Sequence, residues 1–396
     1  MATAGLSAQR TGGLGAAWRN PRVRGIIYQI VVVGLLAALI AFLVNNTITN
    51  LAIRQIRTGY DFLAQQAGFN IGEHVIPFAP SDSYGRAIVV GFLNTLKVSI
   101  LGIIIASAIG VLMGIARLSS NWLLAKVAMV YIEIVRNIPL LLQLFFWYAI
   151  ISQLLPNPRD ALVPVPGFAL SKMGLQMPAL IYDPGQTPLV IIFLISMIAA
   201  YFYYRWARRR QAATGREPKL LLPIIGLIVL PTLVAYLVLG APLHFDVPTF
   251  TRFNYQGGTS ITPEFLALLV GLSIYTGSFI AENVRSGILG VPWGQSEASS
   301  ALGLRRGQQM RLVVLPQALR IIVPPTTSQY LNLTKNSSLA VAIGYPDLLS
   351  VTNTTLNQTG QAIECISIMM GIYLVISLAI SLFMNWYNKR VALVER

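Results

Sequence analysis

Residues 291–317 read VPWGQSEASSALGLRRGQQMRLVVLPQ and form the longest polar, mostly helix-compatible stretch in a chain dominated by apolar runs. Pro292 suits the first turn of a helix, and Glu297 suits its positively polarised start. Gly303 can end that helix because glycine accepts a positive φ without steric cost. A second amphipathic piece at 308–314 then runs into a Leu-Pro pair. The stretch therefore predicts a helix, a glycine turn and a second helix on a wet face of the protein.

The composition places this stretch in a membrane protein. Of the 396 residues, 55% are apolar and only 11% are charged, whereas soluble domains carry about 25% charged residues. The net charge of +15 would also suit a nucleic-acid-binding protein, but most Lys and Arg residues fall in segments on one side of an eight-span topology, which is the positive-inside pattern. The sequence therefore predicts an all-α integral membrane protein with both termini in the cytoplasm and no nucleic-acid partner.

Eight apolar segments are candidates to cross the hydrocarbon core, which takes about 20 residues of helix. They lie at about 26–44, 87–115, 124–155, 188–204, 220–239, 263–284, 318–333 and 362–386. The segments outside these spans are assigned as a cytoplasmic tail, an external segment and a cytoplasmic C-terminus, at 1–25, 45–87 and 387–396. Residues 205–219 carry six basic side chains and form the clearest inner loop.

Charged and helix-breaking residues inside the third span are candidates for function, because a charge at membrane depth is costly unless it is used or paired. They are Glu133, Arg136, Asn137 and Pro139. The proline breaks the hydrogen-bond ladder of a helix, so that neighbouring groups must satisfy the freed backbone. A structural alternative stays open, since Glu133 and Arg136 are three residues apart and could form an ion pair on one helix face.

Polar residues also lie near the end of the sixth span and within the seventh. The candidates are Tyr275, Ser278, Glu282, Lys335, Ser337 and Ser338. In the sixth span, small neighbouring residues permit close helix packing, which is the structural alternative to a role in transport. In the seventh span, the polar run predicts a broken or re-entrant element, because unwound backbone at membrane depth must face protein or a water-filled cavity. A solvated outer turn is the alternative there.

No sequence pattern for catalysis or nucleotide binding is present. The chain has no G-x-x-x-x-G-K-S/T loop to cradle phosphates and no Ser-His-Asp arrangement. His74 and His244 are isolated, and Cys365 is the only cysteine, which excludes an internal disulfide and a thiolate metal site. We therefore expect no enzyme activity, metal or cofactor in this chain, so any ATP-driven work needs another subunit.

The opening stretch resembles the EAA loop of ABC importer permeases, the element with which that family docks its ATPase. The matching positions are Glu297, Ala298, Ser299, Gly303, Val313, Leu315 and Pro316. Two of them depart from the family's pattern, since Ser299 stands for the second alanine and Val313 for isoleucine. The resemblance implies that the loop at 291–317 is the ATPase-coupling loop, with Glu297, Ala298, Gly303, Leu315 and Pro316 as its contact residues.

Further segments are similar to the polar amino-acid permeases of the same family. They are 131–143, 280–288 and 316–339, while 257–303 resembles one of two paired permeases of general L-amino-acid importers. The similarity covers about 88–386 and assigns this range as the permease domain. It implies a gate or translocation-path role for the polar residues of the third, sixth and seventh spans.

The resemblance also implies an architecture and a set of partners. The fold would be a type I importer core of five helices, with the first helix and a hairpin at 188–239 added to it. Partners would be a paralogous permease, two ATPase subunits that bind ATP and Mg, and a periplasmic amino-acid-binding protein, all at a bacterial inner membrane. The import of broad-range or polar L-amino acids would proceed by alternating access. An ion-coupled secondary transporter or channel is the alternative, since broken helices and intramembrane carboxylates occur there too.

Overall fold

A computed structural model describes residues 21–53, 58–215, 220–252 and 254–391 of the chain. Four predicted segments fall partly outside these residues: the tail at 1–25, the external segment at 45–87, the basic loop at 205–219 and the C-terminus at 387–396. The described chain is mostly helical, as an all-α membrane protein requires, because only hydrogen bonds within a helix can satisfy the backbone of an isolated span in lipid.

The α-helices of the described chain follow the predicted spans closely. They are α1 Pro21–Ile53, α2 Tyr84–Arg117, α3 Trp122–Asn137, α4 Leu140–Ala149, α5 Gln186–Thr214, α6 Leu221–Val238, α7 Pro263–Leu289, α8 Trp293–Ala301, α9 Arg306–Gln309, α10 Leu315–Asn336, α11 Leu348–Thr359 and α12 Ala362–Val391. Short 3-10 turns lie at Asp61–Ala64, Pro158–Asp160 and Ser337–Ile343, and π turns at Ile150–Leu154 and Met310–Val314.

Short antiparallel strands flank the hairpin made by α5 and α6. They are β1 Ala169–Ser171, β2 Gly174–Met177, β3 Ala179–Leu180, β4 Phe245–Asp246, β5 Thr249–Thr251, β6 Asn254–Gln256 and β7 Thr259–Ile261. β2 pairs with both β1 and β7, β3 pairs with β4, and β5 pairs with β6. The loop before the hairpin is therefore hydrogen-bonded to the loop after it, through the pairs β2–β7 and β3–β4. These pairs join the two ends of the hairpin.

The helices account for about the predicted number of membrane crossings. Of the described helices, six are long and apolar enough to span a bilayer, and α3 with α4 makes a seventh if the bent pair counts as one span. α10 has 22 residues, about 33 Å, so it is long enough to cross although it is too polar to pass the same test. The described helices are therefore roughly consistent with the predicted eight crossings.

The core is a contact between glycine-rich faces of α2 and α7. A Cβ atom on Gly110 would lie 2.5 Å from the Ile280 side chain, and one on Gly114 would lie 2.7 Å from the backbone oxygen of Ala281. Small residues let two helix backbones approach this closely in a membrane, where van der Waals packing drives association. α10 packs against α7, α11 packs against α2, and α12 packs against α10 and α11.

The hairpin and the first helix stand apart from this bundle. α5 and α6 pack mainly against each other, with Ala200, Ala207 and Ala235 buried between them. α1 has no buried residue among those described. α1 also continues past the predicted end at residue 44 to Ile53, and in this extension the Thr49 hydroxyl donates to the backbone oxygen of Asn45.

The two predicted breaks in spans take different forms in the structure. The α-helix α10 ends at Asn336, within the predicted interruption at 335–338, but the chain continues as the 3-10 turn Ser337–Ile343 and does not unwind. Gly344, at φ 81°, ends the turn. The third span is broken at its proline as predicted, and α3 and the segment Leu140–Leu154 are bent by 107° relative to each other.

Candidate functional site

The polar loop at 291–317 projects from the ends of α7 and α10 as two short helices joined by a glycine turn. Gly303 has φ 75°, and a Cβ there would meet nothing within 4 Å, so the left-handed conformation predicted for this residue is confirmed. The backbone N–H groups of Gly303 and Leu304 donate to the carbonyl oxygens of Ser300 and Ser299. These bonds satisfy the last carbonyls of α8 in the manner of a left-handed C-cap.

Large apolar side chains lie exposed on this polar loop. Trp293 is 76% exposed and Leu302 is 81% exposed. α8 begins at Trp293, so the placement of Glu297 at the polarised helix start is wrong, since the carboxylate lies a full turn further on. Glu297 instead accepts a hydrogen bond from Trp293 Nε1 at 2.9 Å and holds the indole. Exposed apolar groups on a polar loop are typical of a surface that another protein covers.

The remaining residues of the predicted coupling loop divide between its two ends. Ala298 is exposed on α8, and Leu315 and Pro316 begin α10. The Gln317 side chain donates to Gln295 at 3.2 Å, which joins the start of α10 to α8. This hydrogen bond therefore connects the two ends of the loop.

An ion-pair cluster lies where α2, α3 and α7 meet. Arg117 Nη1 donates to Glu282 Oε2 at 2.7 Å, and Arg117 Nη2 lies 3.4 Å from Glu133 Oε1. Glu282 also accepts from Arg285 at 2.5 Å and 3.0 Å on its own helix. Arg117 thus joins three helices through two carboxylates. The ion pair of Glu133 with Arg136, which the sequence left open as a structural alternative, is replaced by the pair of Glu133 with Arg117 at the end of α2.

Arg136 has a different neighbour in the structure. Its guanidinium lies 5.0 Å from the ring centroid of Phe279 on α7, within the range of a cation–π contact. Asn137 donates to the backbone oxygen of Glu133 at 2.7 Å. The Arg136 contact therefore joins the end of α3 to α7, whereas the Asn137 hydrogen bond lies within α3.

Pro139 sits at the corner between α3 and α4, where it is the N-cap of α4. The side chain of Gln143 donates to the backbone oxygens of Val135 at 2.8 Å and Ile138 at 2.9 Å. Gln143 is itself buried. This glutamine is therefore the neighbouring group that the proline was predicted to need, and it fixes the corner.

Tyr275 and Ser278 belong to the packed core of α7. The Ser278 hydroxyl donates to the backbone oxygen of Tyr275 at 2.6 Å, and Ser278 is fully buried. The Tyr275 ring lies 5.0 Å from the ring of Phe279. Ser278 is thus placed as the structural alternative predicts, in the packed interior of the protein. Tyr275 contacts Phe279, the ring that also contacts Arg136.

Lys335, Ser337 and Ser338 lie elsewhere in the molecule. Ser337 is fully buried and donates to the backbone oxygen of Thr334 at 2.7 Å. Lys335 and Ser338 line an open pocket of about 520 Å³ together with Tyr373 of α12. Within the described residues, no hydrogen bond or ion pair joins these three to the Arg117 cluster.

A second polar cluster at the opposite end of α2 was not anticipated. Lys97 Nζ lies 2.5 Å from Glu73 Oε1 and 4.2 Å from the ring centroid of Phe265, and Thr262 also bonds to Glu73. Asn94 donates to the backbone oxygens of Glu73 and Pro346, both at 2.8 Å. A lysine inside an apolar span is a signal that sequence reasoning could have used. Arg117 was missed because it lies at a span end, where a basic residue is ordinary.

Asp347 lies beside this cluster, between the 3-10 turn and α11. It is fully buried and accepts from the backbone N–H of Ser350 at 2.9 Å. Burial raises its pKa from 3.8 to about 7, because a buried carboxylate loses its hydration. Tyr373 lies 3.4 Å from its second oxygen, so Asp347 joins α11 to α12.

These features define a polytopic helical membrane protein with an exposed polar loop between α7 and α10 and with paired charges between α2, α3 and α7. The family model of the binding-protein-dependent transport system inner membrane component matches residues 219–393. The general L-amino acid transport system permease protein AapQ of Rhizobium johnstonii is 50% identical over 381 residues, covering 96% of this chain and 95% of that protein. The chain therefore belongs to the family of inner membrane components of binding-protein-dependent transport systems.

The chain is also similar to a second curated relative and to a solved structure. The putative amino-acid ABC transporter permease protein YhdX of Escherichia coli is 47% identical over 383 residues, covering 96% of this chain and 97% of that protein. A crystal structure of an amino acid ABC transporter with histidines aligns with a TM-score of 0.46 at 20% identity, covering 78% of this chain and 95% of that chain.

Proposed function

We propose that this chain is one permease subunit of an ATP-driven importer of L-amino acids in a bacterial inner membrane. The similarity of about half of all residues to AapQ over nearly the whole chain supports this proposal. In the assembled importer, a paralogous permease pairs with this chain, two ATPase subunits bind ATP and Mg on the cytoplasmic side, and a periplasmic binding protein delivers the amino acid.

The observation that carries the proposal is the projecting loop formed by α8, Gly303 and α9. Its exposed Trp293 and Leu302 suit a cleft of a partner protein. Because α7 and α10 carry the loop, a displacement of the docked ATPase moves both helices. Glu282 on α7 then transmits the movement through Arg117 to Glu133 on α3. ATP shifts the equilibrium between inward-open and outward-open states only if the ATPase contacts differ between them.

The pocket lined by Lys335 and Ser338 suits the substrate class. An amino acid carries a carboxylate, and an exposed ammonium with a neighbouring hydroxyl offers that carboxylate a charge-assisted hydrogen bond. The other lining groups include Met369, Met370 and Leu374. A pocket that recognises the shared carboxylate and surrounds the side chain with adaptable methionines fits a broad-range or polar amino-acid substrate.

Reconstitution of the whole transporter tests the proposal. The permease pair, its ATPase and its binding protein in liposomes should accumulate radiolabelled L-amino acids only with ATP on the ATPase side. Loss of the ATPase from the purified complex after deletion of 293–309 would locate the coupling at this loop. Uptake that persists without ATP and collapses with a protonophore would overturn the proposal in favour of an ion-coupled transporter.

A further inference from the structure

The end of α5 that leads into the basic loop carries a dense group of aromatic and arginine side chains. The aromatic members are Tyr201, Phe202, Tyr203, Tyr204 and Trp206, and the basic members are Arg205, Arg208, Arg209 and Arg210. All four arginines are exposed. Nothing in the transport mechanism uses them, since the hairpin packs mainly on itself within the described chain.

The position of this group along α5 places it at the bilayer surface. The apolar part of the helix, 188–204, spans about 26 Å, close to the roughly 30 Å of the hydrocarbon core. Tyr and Trp rings favour the level of the lipid headgroups. The arginines that follow therefore lie at the level of the phosphates, on the cytoplasmic side by the positive-inside rule.

Three of the arginines share one face of α5. Arg205 is three residues from Arg208 and four from Arg209, and side chains at these spacings are neighbours on a helix surface. The buried residues Ala200 and Ala207 face α6. The helical period puts Arg205 and Arg209 on the opposite side of α5 and Arg208 about a quarter turn from the buried alanines. This face is therefore turned away from the hairpin partner and towards the bilayer.

Aromatic rings hold two of these guanidinium groups in place. Arg205 lies 5.9 Å from the ring centroid of Tyr201, and Arg208 lies 5.5 Å from that of Tyr204. Arg208 Nε also donates to the Tyr204 hydroxyl at 3.3 Å. Like charges at helical spacing repel each other, so an anion between the guanidinium groups would relieve the repulsion. No ion pair to a carboxylate occupies them in the part of the chain that the structure describes.

We propose that this face of α5 binds an anionic phospholipid of the inner leaflet, with the phosphate held by Arg205, Arg208 and Arg209. A guanidinium presents paired donors that match phosphate oxygens. The tyrosine rings below the arginines contact the glycerol and upper acyl chain. Charge complementarity supports this occupant, because residues 205–219 contain six basic side chains and one acidic side chain.

Lipid is favoured over a protein partner by the depth of the face and by its surroundings. Tyr201 and Phe202 are 55% and 63% exposed, and they lie within the span, where the solvent is lipid. A protein that docked on the water-exposed loop alone would leave these rings uncovered. The competing occupant is an acidic patch of an ATPase, and the experiment must distinguish it from an anionic phospholipid.

Native mass spectrometry of the whole purified transporter tests the site, with phosphatidylglycerol and phosphatidylcholine as the two lipid probes. The test variant is Arg205→Gln/Arg208→Gln. The matched control is Lys389→Gln/Arg390→Gln at the end of α12, where Arg390 lies 4.4 Å from the Trp386 ring centroid. Both variants remove two exposed charges beside an aromatic residue.

The test variant should bind phosphatidylglycerol about tenfold more weakly or worse, because two arginines lose their charge-assisted hydrogen bonds to the phosphate. Its phosphatidylcholine binding should not change, and the control should lose at most a few-fold. Arg205→Lys/Arg208→Lys should fall between the test variant and wild type, because lysine keeps the charge but not the paired donors. An equal loss in both glutamine variants would overturn the site, as would loss of ATPase from the complex with unchanged lipid binding.

Discussion

Two helix pairs of this protein, α2–α7 and α5–α6, are both apolar. The residues of α7 are mostly buried inside the protein, whereas those of α5 and α6 are mostly exposed. Of the residues in the most apolar window of α7, 61% are buried inside the protein, against 17% in α5 and 6% in α6. α2 and α7 meet through Gly110, Gly114 and Gly277. The hairpin instead exposes large apolar side chains such as Phe193 and Leu233.

The difference shows how a membrane helix encodes its surroundings. Lipid is as apolar as leucine, so burial of apolar surface does not drive two spans together, and close backbone approach must do so. A glycine face therefore indicates a protein neighbour, and a uniformly bulky helix indicates lipid. The charges follow the same division, because those between α2, α3 and α7 pair with one another, while the arginines of α5 are exposed and form no ion pair with a carboxylate among the described residues.

The largest expected effect comes from filling the glycine contact between α2 and α7. Gly114→Leu forces a side chain against the Ala281 backbone oxygen, which would lie 2.7 Å from the new Cβ. Overpacking costs about 1–3 kcal/mol even where side chains can shift, and here the obstacle is backbone. We expect little folded protein by size-exclusion chromatography after mild heating.

The matched control for this substitution is Gly34→Leu in α1, where a Cβ would meet nothing within 4 Å. It should leave the stability of the purified protein unchanged or slightly raised. Equal losses of folded protein at both positions would contradict the argument that the close glycine contact between α2 and α7 stabilises the protein.

The coupling loop gives the next largest effect. Gly303→Ala should weaken ATPase retention by a conformational cost of roughly 1–2 kcal/mol at positive φ. Gly303→Asp should be worst, since its side chain also overpacks the docked partner by about 1–3 kcal/mol. Glu297→Ala should be mildest, because it removes one exposed hydrogen bond to Trp293, about 0.5–1 kcal/mol. Pull-down of the ATPase with the tagged permease measures the order. Retention by Gly303→Asp with loss by Glu297→Ala would contradict the turn argument.

The ion-pair cluster gives the next effect, which falls on transport. Assembly of the complex and its insertion into the membrane should not change. Arg117→Ala leaves Glu133 and Glu282 without their shared cation, a loss of about 1.5–3 kcal/mol for charged hydrogen bonds. Coupled transport in liposomes should fall roughly tenfold or more. Arg136→Ala should cost less, since it removes a cation–π contact of about 0.5–1 kcal/mol.

An exposed lysine at the start of α3 serves as the control for both arginine variants. Lys126→Ala should transport at the wild-type rate. If Arg117→Ala also transports and hydrolyses ATP at that rate, the cluster is only structural, and the proposed transmission from α7 to α3 fails.

The last expected effect is a pH dependence of the stability of the protein at Asp347. The pKa of this buried carboxyl is raised to about 7, so the folded state binds the proton more tightly than the unfolded state does. The protonated Asp347 carboxyl therefore contributes stability that is fully present below about pH 4 and is lost as the pH rises through 7. Asp347→Asn should flatten the thermal stability between pH 5 and 8, whereas Asp160→Asn, at an exposed position, should not. An unchanged pH profile in Asp347→Asn would show that this carboxyl is not the titrating group.

Much of the architecture follows from local sequence. Gly303 predicts its turn because glycine alone accepts the left-handed backbone cheaply. Pro139 predicts a break in its span because it lacks the N–H that the helix needs. The apolar runs predict the crossings because length and hydropathy are properties of a single segment. The roles of the coupling and pathway residues in transport remain predictions that the experiments above test.

The ion partners and the angle at Pro139 depend on tertiary contacts. The sequence places Arg136 at pairing distance from Glu133, but the structure pairs Glu133 with Arg117, because α2 packs along α7 and brings its last residue to both carboxylates. Lys97 and Glu73 meet only when the external segment folds back over the end of α2. Sequence thus determined which segments cross the membrane and where they turn. The packing of helix against helix decided which charges meet, because that depends on rotation and depth, which no single segment encodes.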